Sequence, residues 1–242
     1  VSVSTEPKER TMISFWDRLL NLISPQPCAM CGRRLSISEE LICCECNLDL
    51  PRTNYDTDPY SNELAHCFWG LIPVERCYAF TFYRSKSLTS HIIYGLKYGG
   101  RREWGVIAGR MIAREIIGSG FFEGIDLLFP VPLTRKRRRS RGYNQSEELA
   151  RGISEVTEIP VETRSVRRKI FAGSQTSRNR WQRVENVADA FELVDAGPVH
   201  ARHVLIVDDV VTTGATIRAC AQQLVKAGVA KISVLAFGFA KS

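Results

Sequence analysis

The stretch Val204-Leu-Ile-Val-Asp208-Asp209-Val-Val-Thr212-Thr213-Gly214-Ala215-Thr216 decides the reading of this chain. Four consecutive apolar residues have the pattern of a strand buried on both faces. That strand delivers two adjacent acids to its C-terminal end. A short loop of hydroxyls and glycine follows and opens a helix over residues 215–227, with Ile217, Cys220, Ala221 and Leu224 inward and Gly228 as its stop. Such a loop and helix N-terminus present backbone N–H groups and the positive end of the helix dipole to a phosphate. Gly214 lets the backbone approach closely. The hydroxyls of Thr212, Thr213 and Thr216 are donors for phosphate oxygens. The acids repel phosphate and suit ligand hydroxyls or a divalent cation. A ligand with vicinal hydroxyls beside a monophosphate, a ribose 5-phosphate, fits both halves of the motif. Ligands of open parallel sheets bind at strand C-termini, which agrees with this placement. The plain alternative for Asp208-Asp209 is a helix-capping pair on a surface turn.

Working outward, the pattern from about Cys67 onward alternates apolar strands with amphipathic helices. Residues 78–83 (YAFTFY), 125–131 (IDLLFPV) and 232–239 read as strands. Residues 88–96, 106–117 and 144–156 have helical spacing, and Asn144 with Glu147 has capping-box spacing at the start of the last. This alternation predicts an α/β fold with a twisted parallel sheet covered on both faces. Upstream, residues 14–23 form a helical pattern stopped by Pro25 and Pro27, and residues 52–66 are polar and read as a linker. The expected division is a disordered extension at 1–11, a small lobe with its linker at 12–66, and an α/β domain at 67–242. Met12 is a candidate natural start.

The chain has 242 residues, 44% apolar and 24% charged, an ordinary globular composition. No apolar run approaches the ~18 residues of a membrane span. The first ten residues do not read as a secretory signal. A disulfide-stapled miniprotein is excluded by length and by too few cysteines. The cytoplasm is therefore the expected compartment, with no membrane insertion. The net charge is +7, but it is local: residues 97–183 carry 19 Lys+Arg against 9 Asp+Glu, and the remainder 14 against 17. Its densest part is the run Arg135-Lys-Arg-Arg-Arg-Ser-Arg141, which suits a polyphosphate ligand or a nucleic-acid backbone, or else is a solvated loop.

Five of the eight cysteines fall between positions 28 and 46. Cys28-x2-Cys31 and Cys43-x2-Cys46 are two knuckles that together supply four thiolates, the set of a tetrahedral structural Zn²⁺. Cys44 competes with Cys43 for one position, and His66 and Cys67 are reserve ligands. Cys77 and Cys220 sit in apolar runs and read as core residues.

The Asp-Asp-x-x-Thr-Thr-Gly-Ala-Thr motif resembles the phosphoribosyl pyrophosphate (PRPP) signature of type I phosphoribosyltransferases. Most of the chain from Phe15 onward resembles the ComF (GntX-like) competence-protein family, a four-cysteine zinc lobe joined to such a domain. Leu96-Lys97-Tyr98 is similar to that family's LKY motif. The segment from Phe129-Pro-Val-Pro132 through Arg135 to Arg141-Gly-Tyr143-Asn144-Gln145-Ser146 is similar to its PVP…RGYNQ motif. Arg168, Gln175, Arg183, Asn186, Ala190 and Phe191 stand at the spacing of a further segment, with Ala172 and Arg178 where that family has Thr and Leu.

The resemblance implies that Asp208 and Asp209 hold ribose hydroxyls at the catalytic centre. It places the PRPP loop at Asp208, Asp209, Val210, Thr212, Thr213, Gly214, Ala215 and Thr216. Lys97, Pro132, Arg135, Arg141, Tyr143, Asn144, Gln145, Arg168, Gln175 and Arg183 are implied for the pyrophosphate side and for a flexible loop over residues 167–183. From the residues alone, Lys97 either binds phosphate or ends a helix, and Tyr143 is either a core or a stacking residue. Three functions follow as expectations. One is Mg²⁺-dependent transfer of ribose 5-phosphate from PRPP to a nitrogen nucleophile. Another is a PRPP- or nucleotide-sensing module that contacts single-stranded DNA or a DNA-uptake helicase. The last is a nucleic-acid-binding zinc protein, which leaves Asp208-Asp209 without a purpose. No ammonia-generating half is present, so a complete glutamine amidophosphoribosyltransferase is not expected. A homodimer stays open.

Overall fold

The computed structural model describes residues 26–169 and 190–241. The expected extension at 1–11, the helix at 14–23, and Ala172, Gln175, Arg178, Arg183 and Asn186 lie outside the described residues. In chain order the elements are α1 (Cys44–Leu48), α2 (Glu63–His66), β1 (Val74–Phe82), α3 (Leu88–Tyr98), α4 (Arg102–Ile116), β2 (Leu127–Pro130), α5 (Arg135–Arg141), α6 (Gln145–Thr157), β3 (Val166–Arg168), β4 (Phe191–Leu193), β5 (His203–Val211), α7 (Ala215–Lys226) and β6 (Lys231–Phe239).

Four strands form one parallel sheet in the order β1-β6-β5-β2, as the apolar alternation predicts. The period-2 geometry of a strand sends alternate residues to opposite faces. Val204 and Ile206 therefore join a core with Phe129, Val234 and Leu224. Leu205 and Val207 join the opposite core with Phe237, Ile112 and Leu149. Helix α7 covers the first face, and α3, α4 and α6 cover the second. A short antiparallel pair, β3 and β4, stands beside the sheet.

Helices α4 and α6 touch backbone to backbone. A Cβ built on Gly152 would lie 2.0 Å from the Val106 carbonyl oxygen, and one on Gly109 would lie 2.1 Å from that of Leu149. Glycine is required at both positions by this approach.

The structure departs from the sequence expectations in four places. Strand β1 begins at Val74, four residues early, because the charged Arg76 is drawn inward: its guanidinium donates to the carbonyls of Gly120, Phe121 and Glu123. The arginine run is helix α5 and not a loop, capped by the Thr134 hydroxyl, which accepts from Arg137 N–H, and closed by Gly142 at φ 82°. The capping box at Asn144 is not formed. Asn144 Nδ2 instead donates to the Val131 carbonyl, and Glu147 pairs with Arg138 and Arg151. Residues 52–66 are not a free linker. Backbone N–H groups of Phe82 and Cys77 donate to Pro51 and Pro59, so this segment covers the outer edge of β1, and α2 buries Leu64 and Ala65. A covered edge strand offers no template for association with another chain.

The cysteine segment is part of the main body. Met30, Leu41 and Ile42 share one apolar cluster with Tyr78, Phe80 and Ile93. Arg110 bridges Glu40 of this segment to Glu155 of α6.

Candidate functional site

Strand β5 runs through both acids to Val211, so Asp208 and Asp209 are strand residues and not a loop pair. Asp208 lines the cleft at the strand end and is 9% exposed. Its Oδ1 accepts from the Ser146 hydroxyl at 3.0 Å and from the Asp209 N–H at 2.9 Å. Burial, and then the neighbouring Asp209 carboxylate, push its carboxyl up to about 7. Asp209 Oδ2 holds the Lys97 ammonium at 2.9 Å, and its Oδ1 accepts from Val210 N–H at 2.7 Å. Lys97 stands in the last turn of α3, where it also complements the helix dipole.

Past Val211 the chain turns through Thr212 and Thr213 into Gly214, which sits at φ +71°. A side chain there would be strained, and its Cβ would meet the Phe68 ring at 2.8 Å. The turn and the start of α7 enclose a hollow of ≈ 50 Å³ lined by Thr212, Thr213, Gly214, Ala215 and Thr216. Beside it, sharing Asp208, Val210 and Thr216, lies a cleft of ≈ 150 Å³ with Lys97, Arg137, Arg141 and Arg168 on its walls. Backbone and hydroxyls thus wall the hollow, and the cleft beside it brings the two carboxylates together with four cationic residues, of which Lys97 already pairs with Asp209. That is the complementarity a phosphorylated polyol needs.

The remaining candidates divide. Arg141 donates to Gln145 Oε1 at 2.8 Å and lies over the Tyr98 ring at 5.6 Å. Arg168 lies over the Phe191 ring at 5.2 Å; burial, then Arg137, lowers its pKa. Tyr143 is 7% exposed and its hydroxyl donates to the Leu96 carbonyl at 2.6 Å, so it is a core residue that fixes α3 and not a stacking platform. Gln145 Nε2 donates to the same carbonyl, and Asn144 to Val131. Pro132, Arg135 and Asn144 face an adjoining cleft of ≈ 190 Å³ instead. The sequence nominates Arg137 only as a member of the basic run, and it does not mark Phe68 at all. Arg137 was hidden in a run of similar residues, and only the α5 helix turns it toward Asp208. Nothing in the order of residues marks Phe68 as the wall behind Gly214.

The four sulfurs of Cys28, Cys31, Cys43 and Cys46 all lie within 4.8 Å of one another. The turn between the first two is closed by a Gly32 N–H bond to the Cys28 carbonyl at 2.9 Å, with Gly32 at φ +76°. The second knuckle is held by Glu39, whose carboxylate accepts from the backbone N–H groups of Ser36 and Cys44. Burial raises the Cys28 thiol, but backbone N–H groups of Cys31, Cys43 and Met30 outweigh it and bring it down to about 7. Burial, then the neighbouring sulfurs, push Cys46 up. Four crowded thiols with one readily ionised member are a donor set that fits a tetrahedral metal ion such as Zn²⁺. Cys44 is exposed and outside the cluster. His66 stacks on Trp69 at 4.1 Å, and Cys67 borders Gly214, so neither replaces a ligand. Cys77 and Cys220 are fully buried core residues. Among the described residues no helix is long and apolar enough to cross a membrane.

No family model matches the chain. Over 210 residues it is 28% identical to the DNA utilization protein YhgH of Shigella flexneri and of Escherichia coli (strain K12), covering 86% of this chain and 87% of each relative. It is 36% identical over 110 residues to Competence protein F of Haemophilus influenzae, which covers 45% of this chain and 48% of that one. These relatives bear out the resemblance to the competence-protein family. Among solved structures, the allosteric regulatory enzyme of purine biosynthesis overlaps 55% of this chain at 24% identity and TM-score 0.39, and this chain spans 25% of that one. The purine phosphoribosyltransferase from Pyrococcus horikoshii overlaps 57% of this chain and 84% of its own length at 16% identity and TM-score 0.34. Both overlaps are too loose to bear on the site.

Proposed function

We propose that this chain is a phosphoribosyltransferase-like protein that binds PRPP with Mg²⁺ at the end of β5, in the setting of DNA utilisation or competence. The observation that carries the reading is the unbroken passage from Asp208-Asp209 through the Thr212–Gly214 turn into α7, facing Lys97, Arg137, Arg141 and Arg168. In this reading the threonine turn and the α7 N-terminus hold the 5-phosphate. The acids hold the ribose hydroxyls, and the cations face the pyrophosphate. Both carboxylates offer hard oxygen ligands, and the strain on Asp208 is the kind that a bound divalent cation relieves. When bound there, Mg²⁺ would neutralise the negative charge that collects on the departing pyrophosphate.

The C1–O bond of the sugar breaks and its electrons leave with pyrophosphate. A nitrogen lone pair forms the new C1–N bond, and the nitrogen loses a proton. In this reading the four cysteines hold Zn²⁺ in a segment that packs on the ligand-binding body. A reducing cytoplasm, where thiolates stay available to a metal, suits this reading.

Titration calorimetry with PRPP and Mg²⁺ tests the site. The wild type is expected to bind, and Asp208→Asn/Asp209→Asn to weaken binding by about tenfold or more. No binding by the wild type would sink the reading.

A second reading has a specific feature in its favour. Tyr94 and Tyr98 are both exposed on α3, 6.0 Å apart, with Arg141 over Tyr98. Aromatic faces beside cations suit single-stranded nucleic acid. On this reading the protein senses PRPP and contacts DNA or a DNA-processing partner without transferring anything. Release of pyrophosphate on addition of nitrogen acceptors separates the two.

A further inference from the structure

The ≈ 190 Å³ cleft adjoins the one at Asp208 and shares Leu133 and Arg168 with it. Its apolar wall is Pro130, Pro132 and Val166; Arg135, Arg138 and Arg167 stand around it, with Glu147 the one acid on its lining. Arg138 leans on Glu147 at 3.2 Å and Arg167 pairs with Glu192. Arg135 has no charged partner among the described residues. Asn144, also on the wall, is 5% exposed. Its Nδ2 donates to the Val131 carbonyl, which fixes the amide orientation, and its Oδ1 is buried with no hydrogen-bond partner. Buried polar groups are nearly always paired, so an orphaned acceptor calls for an explanation.

The charge balance narrows what fits. Arg137, Arg141 and Arg168, with Lys97 on Asp209, already line the strand-end site, and in the proposed function they face the pyrophosphate there. Arg135, Arg138 and Arg167 of the adjoining cleft are additional to that set. A neutral heterocycle would cover Arg135 without answering its charge, and desolvating an unpaired cation is unfavourable. A ligand with an anionic group for Arg135 and Arg138 and an N–H for Asn144 Oδ1 answers both needs.

We propose that this cleft takes an anionic co-substrate, a nitrogen nucleophile that bears a carboxylate or phosphate, and that this is the acceptor of the ribosyl group. The word acceptor rests on the phosphoribosyl reading; the binding chemistry of the cleft does not. Its nitrogen lone pair forms the bond to C1 as the C1–O electrons leave with pyrophosphate, and the displaced N–H proton passes to water.

The test uses the full chain and two matched pairs of probes: orotate against uracil, and imidazole-4-carboxylate against imidazole-4-carboxamide. Binding is measured by calorimetry with and without PRPP and Mg²⁺. In each pair the carboxylate is expected to bind about tenfold tighter or more. Arg135→Gln/Arg138→Gln is expected to shrink that ratio to about twofold or less. Because it is a ratio on one protein, general loosening of the fold does not imitate it. Equal binding of the two members, binding of neither, or a variant that keeps the wild-type ratio would overturn the proposal. If PRPP fails to bind while the carboxylate preference persists without it, the anionic cleft stands and the phosphoribosyl reading falls.

Discussion

Asp208 shows how much one residue's burial decides. Its carboxyl is pushed from the ordinary 3.8 to about 7, first by burial and then by Asp209. In the unfolded chain it ionises freely. Between those two values the folded state holds the extra proton, so stability falls as pH rises from about 4 and levels above about 7. Asp208→Asn removes that burden. We expect its thermal midpoint to exceed that of the wild type at pH 8, and the advantage to shrink steadily toward pH 4. An advantage that is the same at pH 5 and pH 8 would show that burial does not strain this carboxyl. The acids themselves were legible in the sequence, because two adjacent carboxylates after four apolar residues are conspicuous. Their partners were not. Ser146 and Lys97 are brought to them only by α6 and α3, and nothing local in the chain joins those helices to β5.

At the scale of elements, α4 and α6 illustrate the difference between periodicity and contact. Their apolar spacing announces two helices, and two helices are found. Glycine inside a helix reads as a weak point in sequence. Here Gly109 and Gly152 are what lets the two backbones meet. Gly152→Ala is expected to cost about 1–3 kcal/mol, by the overpacking of a close contact. Gly118→Ala, where an added Cβ meets nothing within 4 Å, should stay within about 0.5 kcal/mol. Urea unfolding of the two variants measures the contrast, and similar losses would argue against the close approach. Helix α5 was illegible for the converse reason. An arginine run has no apolar face to betray a period, and the Thr134 and Gly142 caps acquire meaning only once the helix is there.

For the whole molecule, the parallel sheet was legible because its strands are apolar on both faces. The place of the cysteine segment was not. Four cysteines predict a metal, but not what the segment that carries them packs against. Since Met30 and Leu41 share a core with Tyr78 and Phe80, removal of a metal loaded at the four cysteines is expected to lower the cooperative unfolding temperature of the entire chain, with no separate early transition. Calorimetric scans before and after chelation check this; an unmoved main transition would mean that the segment is only appended.

One contact between these parts reaches further. The His91 ring nitrogen meets the carbonyl of Met30, inside the first cysteine knuckle, at 2.8 Å. His91 lies in α3, which holds Tyr143 and Gln145 through the Leu96 carbonyl and offers Lys97 to Asp209 in its final turn. The helix is thus a tie-rod anchored at one end to the cysteine knuckle and at the other to the acids of the sheet. Slackening either anchorage should be felt at the other. His91→Ala, which leaves all four cysteines in place, should speed amide hydrogen exchange along α3 as far as Lys97, although every residue of the strand-end cleft is unchanged.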